Sequence, residues 1–566
     1  MPPAVHPAPL ARATARGAAA LAVAAALVGP LADPSAAQAM TPYGEVLAAE
    51  KVVDLGVVTG FHGDELGGDV VWLRDLDGNG HDDFAVTMAG PILPGLREIL
   101  LVFMGPDGPL DAALINSGTL QALDPAMPNF SASSLLFRGD YDEDGRAELL
   151  VGSPWLNPDG VLILDLEDDG SVHSFRLITE GQSGFTGTIP LGADFGGSLA
   201  VIGDLDGNGF ADLAVGASQT SSPGSDVGAV WVLLMGADDT VIQQRTLGNF
   251  GAGLALGLQS GDHFGGALAA PGDLDGNGVP DLIVGASRRD AGGFEAGAVF
   301  VLFFGVGGQL IGHHEISAAS GDLAGLAAPP RWLGGALDVG NDLDGDGTPE
   351  LFVGAAGATD ELPAGAVFTL FLRPDGSVKD HRVIASFLGG LGVVQENSRF
   401  GTSVASATGP GPLVDERLLV GAPLDDQGGN DEGALWFLDL GLRTWHPLGH
   451  GLGGFLGTPS LTGTGSMLPG ETVRVTLAGA HPNTTAWFVI GFDRVDLPFA
   501  GGTLVPDTAP PALVLPLPSG TGSITLEGLW PAGLPDLFET FFQVWVVDPT
   551  GPQGYTASNA LKGVAG

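Results

Sequence analysis

Short apolar segments recur along the chain between glycine-rich turns, a pattern typical of β-strands. Four kinds follow one another in a fixed order. The first is small and apolar, as in residues 264–269, and the second reads Leu-Ile-Val-Gly-Ala at 282–286. The third opens with Gly-Ala-Val, as at 297–302, and the fourth is more polar, as at 377–384. Four strands that become less apolar along the unit predict a propeller blade, whose inner strands are packed and whose outer strand is solvated.

The unit repeats along most of the chain. In five units an acidic nine-residue loop separates the first and second strands, and successive loops begin 65, 64, 69 and 69 residues apart. A period of this size indicates an array of supersecondary units. A sixth unit, with strands at 400–405, 418–423 and 433–437, keeps the strand order. Its connecting segment has Gly409, Gly411, Leu413 and Arg417 where the acidic residues should be, so it is predicted to bind no ion.

Residues 45–55, ahead of the first unit, resemble a fourth strand and are expected to complete the last blade. Such closure would remove exposed sheet edges. The sequence therefore predicts an all-β fold with a six-bladed propeller over residues 40–450, and seven blades are the alternative.

The acidic loops have the donor pattern of a calcium site. Oxygen-bearing side chains occupy loop positions 1, 3, 5 and 9, a main-chain carbonyl is available at position 7, and glycine fills position 6 in all five. Three or four carboxylates within nine residues repel one another unless a cation lies among them. About five Ca²⁺ ions are predicted, one per loop. The predicted ligands, with position 7 contributing its main-chain oxygen, are Asp75, Asp77, Asn79, His81 and Asp83; Asp140, Asp142, Asp144, Arg146 and Glu148; Asp204, Asp206, Asn208, Phe210 and Asp212; Asp273, Asp275, Asn277, Val279 and Asp281; and Asp342, Asp344, Asp346, Thr348 and Glu350.

An EF-hand begins with a similar pattern but requires a bidentate Glu at position 12 and a helix on either side. Here position 12 is always valine, within a run that predicts a buried strand (Val86, Val151, Val215, Val284 and Val353). The sequence therefore excludes an EF-hand.

The combination of Phe-Gly-Gly, Asp-Leu-Asp-Gly-Asn-Gly and Leu-x-Val-Gly-Ala resembles the FG-GAP repeat of integrin α-subunit β-propellers and related bacterial surface proteins. The resemblance covers roughly residues 45–448. It implies Ca²⁺ at the five loops, all on one face of the ring, and partners that bind extended surfaces of the propeller.

The two ends of the chain differ from the repeats. Arg12 and Arg16 precede an apolar run at 17–28, and small residues at 37–39 offer a cleavage site, so residues 1–39 are predicted to be a signal peptide. A retained N-terminal anchor is the alternative. No later run is long enough to span a membrane. Residues 451–566 contain alternating and apolar strands between Gly and Pro turns, which predict a small C-terminal β-sandwich.

Composition limits the partners. The 566 residues include 66 Asp and Glu but only 21 Lys and Arg, for a net charge of −45, which argues against nucleic acid and anionic membranes. Cysteine is absent, so an exported chain would have to brace its loops with something other than disulfides, and bound cations can do this.

No catalytic sequence motif appears, and without cysteine there is no thiol nucleophile. The one local grouping of imidazole and carboxylate is His313-His314-Glu315, where strand alternation sends the two histidines to opposite faces. His62 and His263 precede the Gly-Gly strand and are expected to have structural roles. Trp72, Trp231 and Trp436 lie in strand patterns typical of a core; together with Trp155 and Trp332 they could instead form a carbohydrate platform.

The sequence thus favours a secreted or cell-surface adhesion module that binds extracellular proteins or glycans and is not an enzyme. The alternatives are an extracellular polysaccharide hydrolase or lyase acting in the propeller channel, and a structural surface protein without a specific ligand.

Overall fold

The computed structural model describes residues 45–564, except for 53–64, 90–95, 107, 143, 155–158, 222–223, 249–255, 321, 324–328, 344–345, 360, 389–390, 408–415, 427–432, 442–444, 455–456, 465–471, 493, 507, 509–511, 520–521 and 531–538. The predicted signal peptide therefore lies outside the described residues. The chain divides into two compact units, one of Gly44–Gly441 and one that contains Leu442–Gly566. In the described residues, no helix has the length and apolar character needed to cross a membrane.

In its described residues the first unit consists of strands, one short α-helix and a 3-10 helix at Ala237–Asp239. Its elements are β1 (Glu45–Val52), β2 (Val70–Arg74), β3 (Asp83–Ala89), β4 (Arg97–Gly105), β5 (Gly108–Ile115), α1 (Ser117–Leu123), β6 (Ser134–Gly139), β7 (Ala147–Ser153), β8 (Gly160–Leu166), β9 (Val172–Thr179), β10 (Phe195–Gly203), β11 (Asp212–Ala217), β12 (Ala229–Met235), β13 (Val241–Leu247), β14 (Phe264–Gly272), β15 (Asp281–Ala286), β16 (Ala298–Gly305), β17 (Gln309–Ser317), β18 (Arg331–Val339), β19 (Leu351–Gly357), β20 (Ala366–Leu372), β21 (Val378–Ile384), β22 (Ser403–Ser406), β23 (Glu416–Ala422) and β24 (Ala434–Gly441).

These strands form six antiparallel four-stranded sheets in the described residues. Sheets 1 to 5 each contain four consecutive strands, starting with β2, β6, β10, β14 and β18 respectively. Sheet 6 has the order β22-β23-β24-β1, and β1 pairs with β24 from Glu45 opposite Gly441 to Val52 opposite Leu435. The strand that precedes the first unit is therefore the outer strand of the last sheet, as the sequence predicts.

The sheets follow one another around a closed ring. Parallel bridges join neighbouring sheets, for example Gly228 to Phe264 and Gly365 to Phe400. A further bridge between Leu66 and Gly433 joins sheet 1 to sheet 6. The predicted all-β, propeller-like fold is confirmed.

The glycines of the repeat have a packing reason. A Cβ atom on Gly216, in the Val-Gly-Ala strand of sheet 3, would lie 2.1 Å from the carbonyl oxygen of Gly265 in sheet 4. Gly265 itself has φ +86°, a conformation that favours glycine. Gly421 and Gly67 repeat this close approach, at 2.1 Å, where sheet 6 meets sheet 1. Glycine therefore lets the second strand of one sheet touch the first strand of the next.

Apolar side chains fill the spaces between sheets. Val230 and Val232 of sheet 3 share one core cluster with Leu282, Val284 and other buried residues of sheet 4. The strands are buried on both sides, which explains why the second and third strands are continuous apolar runs rather than alternating ones.

The second unit is also built of strands, namely β25 (Trp445–Gly449), β26 (Ser460–Thr464), β27 (Thr472–Ala478), β28 (Thr485–Gly491), β29 (Arg494–Phe499), β30 (Gly502–Pro506), β31 (Leu513–Pro518), β32 (Ile524–Leu529), β33 (Glu539–Val547), β34 (Tyr555–Ala557) and β35 (Ala560–Val564). One sheet has the order β25-β35-β33-β28-β31 with β34 beside β33, and another has the order β26-β27-β32. The two sheets share one core, in which Val475 and Leu477 join Phe488 and Val544. β25, which precedes residue 451, pairs with β35 in this unit.

Candidate metal centre

All five acidic loops connect the first strand of a sheet to the second, so they lie at the same end of their sheets. In sheet 4, for example, β14 ends at Gly272 and β15 begins at Asp281, the ninth loop position. In sheets 1, 3 and 4 the ninth loop residue is the first residue of the second strand, and in sheets 2 and 5 the strand begins within one residue of it.

Each loop is folded by its own acidic side chains. In sheet 4, Asp273 Oδ2 accepts a hydrogen bond from the main-chain N–H of Gly278 at 2.7 Å. Asp275 Oδ1 accepts one from Asn277 N–H at 3.0 Å, and Asn277 Oδ1 accepts one from Val279 N–H at 2.8 Å. The bond from position 6 to position 1 recurs in the other four loops, from Gly80 to Asp75, Gly145 to Asp140, Gly209 to Asp204 and Gly347 to Asp342. The glycines at position 6 have φ close to +90° in all five loops, which explains the invariant residue.

The ninth position has a role that the sequence did not reveal. Asp281 is fully buried, and its two oxygens accept hydrogen bonds from Leu274 N–H at 2.9 Å and from Phe304 N–H at 3.0 Å. Phe304 belongs to the third strand, so one carboxylate of the second strand joins the loop to the third strand. Asp83 and Asp212 make the corresponding pairs of bonds, and Glu148 and Glu350 accept the bond from the second loop position.

Burial has an electrostatic consequence at this position. Desolvation raises the pKa of Asp212 and of Asp281 to about 6, although the main-chain N–H groups partly offset it. The same cause raises the pKa of Asp83 and of Glu148 above the ordinary range. A nearby cation would favour the ionised form of each group.

Three loops orient their fifth residue through its amide. Asn79, Asn208 and Asn277 donate from Nδ2 to a main-chain carbonyl at the end of the third strand, at 2.8, 2.8 and 2.9 Å. Because this bond fixes which end of the amide faces outward, the side-chain oxygen is directed into the loop. Loops 2 and 5 have Asp144 and Asp346 at this position instead.

The carboxylates converge in four of the loops. Oxygen atoms of three acidic side chains lie within 4.8 Å of one another in each group: Asp75, Asp77 and Asp83; Asp140, Asp142 and Asp144; Asp204, Asp206 and Asp212; and Asp273, Asp275 and Asp281. Calcium–oxygen distances are about 2.3–2.6 Å, so oxygens on opposite sides of one ion are about 5 Å apart. The separations and the all-oxygen donor set therefore fit Ca²⁺.

The remaining predicted ligands are placed less completely. In loop 5, Asp344 lies outside the described residues. Asp342, Asp346 and Glu350 accept the same main-chain hydrogen bonds, from Gly347, Thr348 and Leu343, as the residues at these positions in the other loops. The main-chain oxygens at position 7 stay predicted ligands, on His81, Arg146, Phe210, Val279 and Thr348.

Basic side chains approach two of the loops. In loop 2, Arg146 Nη1 lies 3.3 Å from Asp144 Oδ2, and Arg176 Nη2 of β9 lies 3.6 Å from Asp142 Oδ2. In loop 5, Lys379 of β21 forms an ion pair with Asp346. Among the described residues, no basic side chain forms an ion pair with the ligand carboxylates of loops 1, 3 or 4. The two loops with an extra aspartate at position 5 are thus the two that have a basic partner.

The corresponding segment of the sixth sheet lies mostly outside the described residues, so its lack of a bound ion stays a prediction. Gly409, Gly411 and Leu413 lie outside the described residues, and Arg417 forms an exposed ion pair with Asp439 at 2.9 Å. The buried Glu416 accepts hydrogen bonds from Asn341 N–H of sheet 5 and from the Ser406 hydroxyl. Burial raises the pKa of Glu416 to about 7.

The other candidates have structural surroundings. Trp72 donates to Ala405 O at 3.1 Å, and Trp231 packs against Phe185 and Phe195. Trp436 packs on Phe400, so Trp72 and Trp436 lie in the core as predicted, and Trp231 is partly buried against it.

The paired histidines also have separate partners. His314 Nε2 lies 3.0 Å from Asp322, whereas the His313 ring lies against Phe300. His263 has φ 54° and donates its main-chain N–H to Asp226 O. His62 and Trp155 fall outside the described residues.

Comparisons with known proteins agree with this geometry. The FG-GAP repeat family model matches residues 195–233 and 264–302, which contain the acidic loops of sheets 3 and 4. Integrin alpha-PS2 of Drosophila melanogaster is 31% identical over 254 residues, 44% of this chain and 16% of that protein. Integrin alpha-5 of Xenopus laevis is 34% identical over 163 residues, 27% of this chain and 14% of that protein.

Human integrin alpha-10 is 31% identical over 245 residues, which make up 41% of this chain and 18% of the relative. The chain therefore matches less than a fifth of the length of each of these relatives. The crystal structure of the V. cholerae biofilm matrix protein Bap1 aligns with 93% of this chain and 70% of its own, at 12% identity and a TM-score of 0.28, which is too low to indicate a shared fold. On its sheets and its acidic loops, the chain contains FG-GAP repeats and is similar to integrin α-subunits in this region.

Proposed function

We propose that the chain is an exported, calcium-stabilised propeller that acts as an adhesion module for extracellular proteins or glycans. The observation that carries the proposal is the convergence of three carboxylates within 4.8 Å in each of four loops. Carboxylates held this close repel one another, and the protein provides no compensating basic side chain in three of the five loops in the described residues. A divalent cation would remove this repulsion.

Cation binding would act directly on stability. The carboxylate at position 9 is hydrogen-bonded to the loop and to the third strand, so an ion bound to it would tie three strands of a sheet together. Extracellular calcium modules commonly have Kd values of about 10⁻⁴–10⁻³ M. Calcium at a hundredfold excess over Kd would stabilise the folded state by about 2.7 kcal/mol per site.

The adhesion part of the proposal comes from similarity and charge. The repeats are similar to those of integrin α-subunits, and the predicted signal peptide directs the chain out of the cell. The net charge of −45 disfavours nucleic acid and anionic membranes, which leaves proteins and glycans as the favoured partners.

Thermal unfolding tests the calcium part. The purified chain is dialysed against EGTA, verified to be calcium-free, and melted with calcium or with magnesium at the same ionic strength. Calcium should raise Tm well above the magnesium control, because Mg²⁺ prefers shorter bonds and retains its water. An unchanged Tm in calcium would contradict the proposal.

Partner capture tests the adhesion part. A glycan array and a pull-down from extracellular material, each with calcium present, should give saturable binding to defined ligands. Absence of any saturable ligand in both assays would favour a structural role instead.

A channel at the ring axis supports a second candidate function. The first strands of all six sheets line a cavity of about 510 Å³ that contains Asp69 and Asp338, neither of which belongs to an acidic loop. Burial raises the pKa of Asp69 to about 7 and that of Asp338 to about 6, values suited to proton transfer.

The same two carboxylates also have structural partners, since Asp69 accepts from Leu135 N–H and Asp338 from Ser406 N–H, both at 2.6 Å. Polysaccharide cleavage that is lost in both Asp69→Asn and Asp338→Asn would favour an enzyme. Without such cleavage, the adhesion proposal stands alone.

A further inference from the structure

Basic and aromatic side chains from three sheets meet at the end of the ring opposite the acidic loops. An antiparallel sheet places the connection between its second and third strands at the end where its first strand begins, whereas the acidic loop lies at the other end. Arg288, Phe294 and Glu295 lie in that connection in sheet 4, Arg331 and Trp332 begin the first strand of sheet 5, and Arg399 precedes that of sheet 6. These six residues are named the Trp332 cluster.

Three guanidinium groups surround one indole. The guanidinium carbon of Arg288 is 4.4 Å from the centroid of the Trp332 ring, that of Arg399 is 5.5 Å away and that of Arg331 is 5.6 Å away. All three distances are within the range of cation–π attraction. The indole thus gathers like charges that would otherwise separate.

One carboxylate holds the cluster together. Glu295 accepts hydrogen bonds from Arg288 Nη1 at 2.8 Å, Arg331 Nη2 at 2.7 Å and Trp332 Nε1 at 3.0 Å. The bond from Trp332, followed by those from the two arginines, lowers the pKa of Glu295 to about 2. It therefore stays ionised at any physiological pH and fixes the positions of both guanidinium groups.

The cluster has more positive than negative charge. Glu295 supplies one negative charge against three arginines, and Arg399 forms no ion pair within the part of the chain that the structure describes. The nearby Asp290 accepts the main-chain N–H of Glu295. In a chain with 21 basic and 66 acidic residues, three arginines around one ring are an unusual local concentration of positive charge.

The cluster is accessible to a ligand. Phe294 is 74% exposed and Arg399 is exposed, while the side chains of Arg288 and Arg331 are 38% and 36% exposed. A guanidinium group matches a carboxylate through two parallel hydrogen bonds, and an adjacent aromatic face can pack against the apolar side of a sugar ring.

The rest of the chain restricts the kind of anion. A net charge of −45 repels densely charged polymers such as nucleic acid, because the attraction of a few arginines is opposed by the field of the whole protein. A short ligand with only a few carboxylates, each beside the apolar face of a sugar ring, would keep the local attraction with less of this repulsion.

We propose that the Trp332 cluster binds a carboxylate-bearing sugar, such as a uronate residue of an extracellular glycan. This inference rests on the proposed adhesion function and names the ligand chemistry of one surface. Arg399 contacts the carboxylate, Phe294 packs against the sugar ring, and Glu295 positions Arg288 and Arg331.

The test uses the full chain at a fixed calcium concentration and trigalacturonate as the probe, with binding followed by saturation-transfer NMR titration. Arg399→Gln removes an exposed charge that forms no ion pair in the described part of the chain. Arg417→Gln, which replaces an exposed arginine of sheet 6 paired with Asp439, is the matched control. Trigalacturonate should bind saturably to the wild type and to Arg417→Gln. Binding to Arg399→Gln should be at least about tenfold weaker, and neutral maltotriose should not bind.

Several results would overturn the inference. One is the absence of saturable trigalacturonate binding. A second is an affinity of Arg399→Gln equal to that of the wild type, which would indicate that the sugar binds calcium at the loops. A third is binding of maltotriose or of a triglutamate peptide with the same affinity as trigalacturonate. The calcium-dependent melting curve reports on the proposed function separately, so a failure at the Trp332 cluster leaves that result intact.

Discussion

Replacing Lys379 with glutamine is expected to strengthen calcium binding at the fifth loop. Lys379 forms an ion pair with Asp346, a predicted ligand, and the two side chains are only 16% and 24% exposed. A cation that binds Asp346 must displace this ammonium group. The same pair lowers the pKa of Asp346, against the opposing effect of its burial, so the carboxylate is held in its ionised form before calcium arrives.

The size of the effect follows from the environment of the pair. Exposed ion pairs contribute about 0.2–1 kcal/mol, and a pair shielded from water to this extent should exceed that range. If the side chain of Lys379 rotates away when calcium binds, the ion pair is lost, and the free energy of calcium binding is less favourable by about 1–2 kcal/mol. Its removal should therefore tighten Kd by roughly 5- to 30-fold.

Calorimetric titration of calcium into Lys379→Gln measures the change, and Lys379→Arg, which keeps the charge, is the matched control. A double-mutant cycle with Asp342→Asn assigns the effect to this loop, because the gain must disappear when a ligand of the same loop is removed. Weaker or unchanged binding in Lys379→Gln, or the same gain in Lys379→Arg, would refute the reasoning.

Three further predictions concern stability. Asp281→Asn should destabilise the EGTA-treated chain by about 1–3 kcal/mol, because the two main-chain N–H groups bond to two different carboxylate oxygens and an amide has only one. The exposed Asp273→Asn should instead mainly reduce the rise in Tm that calcium causes. An equal loss of Tm in EGTA for the two variants would contradict the prediction. Burial raises the pKa of Asp69 and of Glu416 to about 7, and both ionise near pH 4 when unfolded, so their contribution to stability is complete at low pH and is lost as pH rises from about 4 to 7. The Tm of the metal-free chain should fall between pH 4 and 7, less steeply in Glu416→Gln, and a Tm that rises over this range would contradict the prediction. Gly216→Ala places a Cβ 2.1 Å from Gly265 O and should lower the free energy of unfolding by about 2 kcal/mol or more. Gly392→Ala is the control, because no atom lies within 4 Å of its Cβ, and its Tm should change little. Equal Tm values for the two variants would contradict this prediction.

The repeat made most of the first unit predictable. Strand order, the loop positions and the pairing of the segment before the first unit with the last sheet all follow from a period of 64–69 residues and the polarity of each strand. The structure supplies the reason for the repeated glycines, because Gly216 and Gly265 of neighbouring sheets approach each other closely. The motif marked these positions, but only the structure shows which backbone lies opposite.

The sequence could not predict features that depend on contacts between distant residues. Lys379 is 33 positions from Asp346 and belongs to an outer strand, so no local pattern connects them. The aspartate that replaces asparagine at position 5 of loops 2 and 5 was the available signal, because an extra charge requires a partner. The Trp332 cluster joins residues up to 111 positions apart, and its convergence depends on how three sheets lie side by side.

The pairing of β1 with β24 has a consequence for the order of folding. β1 is synthesised first among the strands, yet its partner is the last strand of the unit, almost four hundred residues later. Until translation reaches β24, the nascent chain has both a lone N-terminal strand and an uncovered sheet edge, which invite intermolecular pairing. The ring can close only after the whole unit has been made, so a chaperone would protect this protein most at that late step.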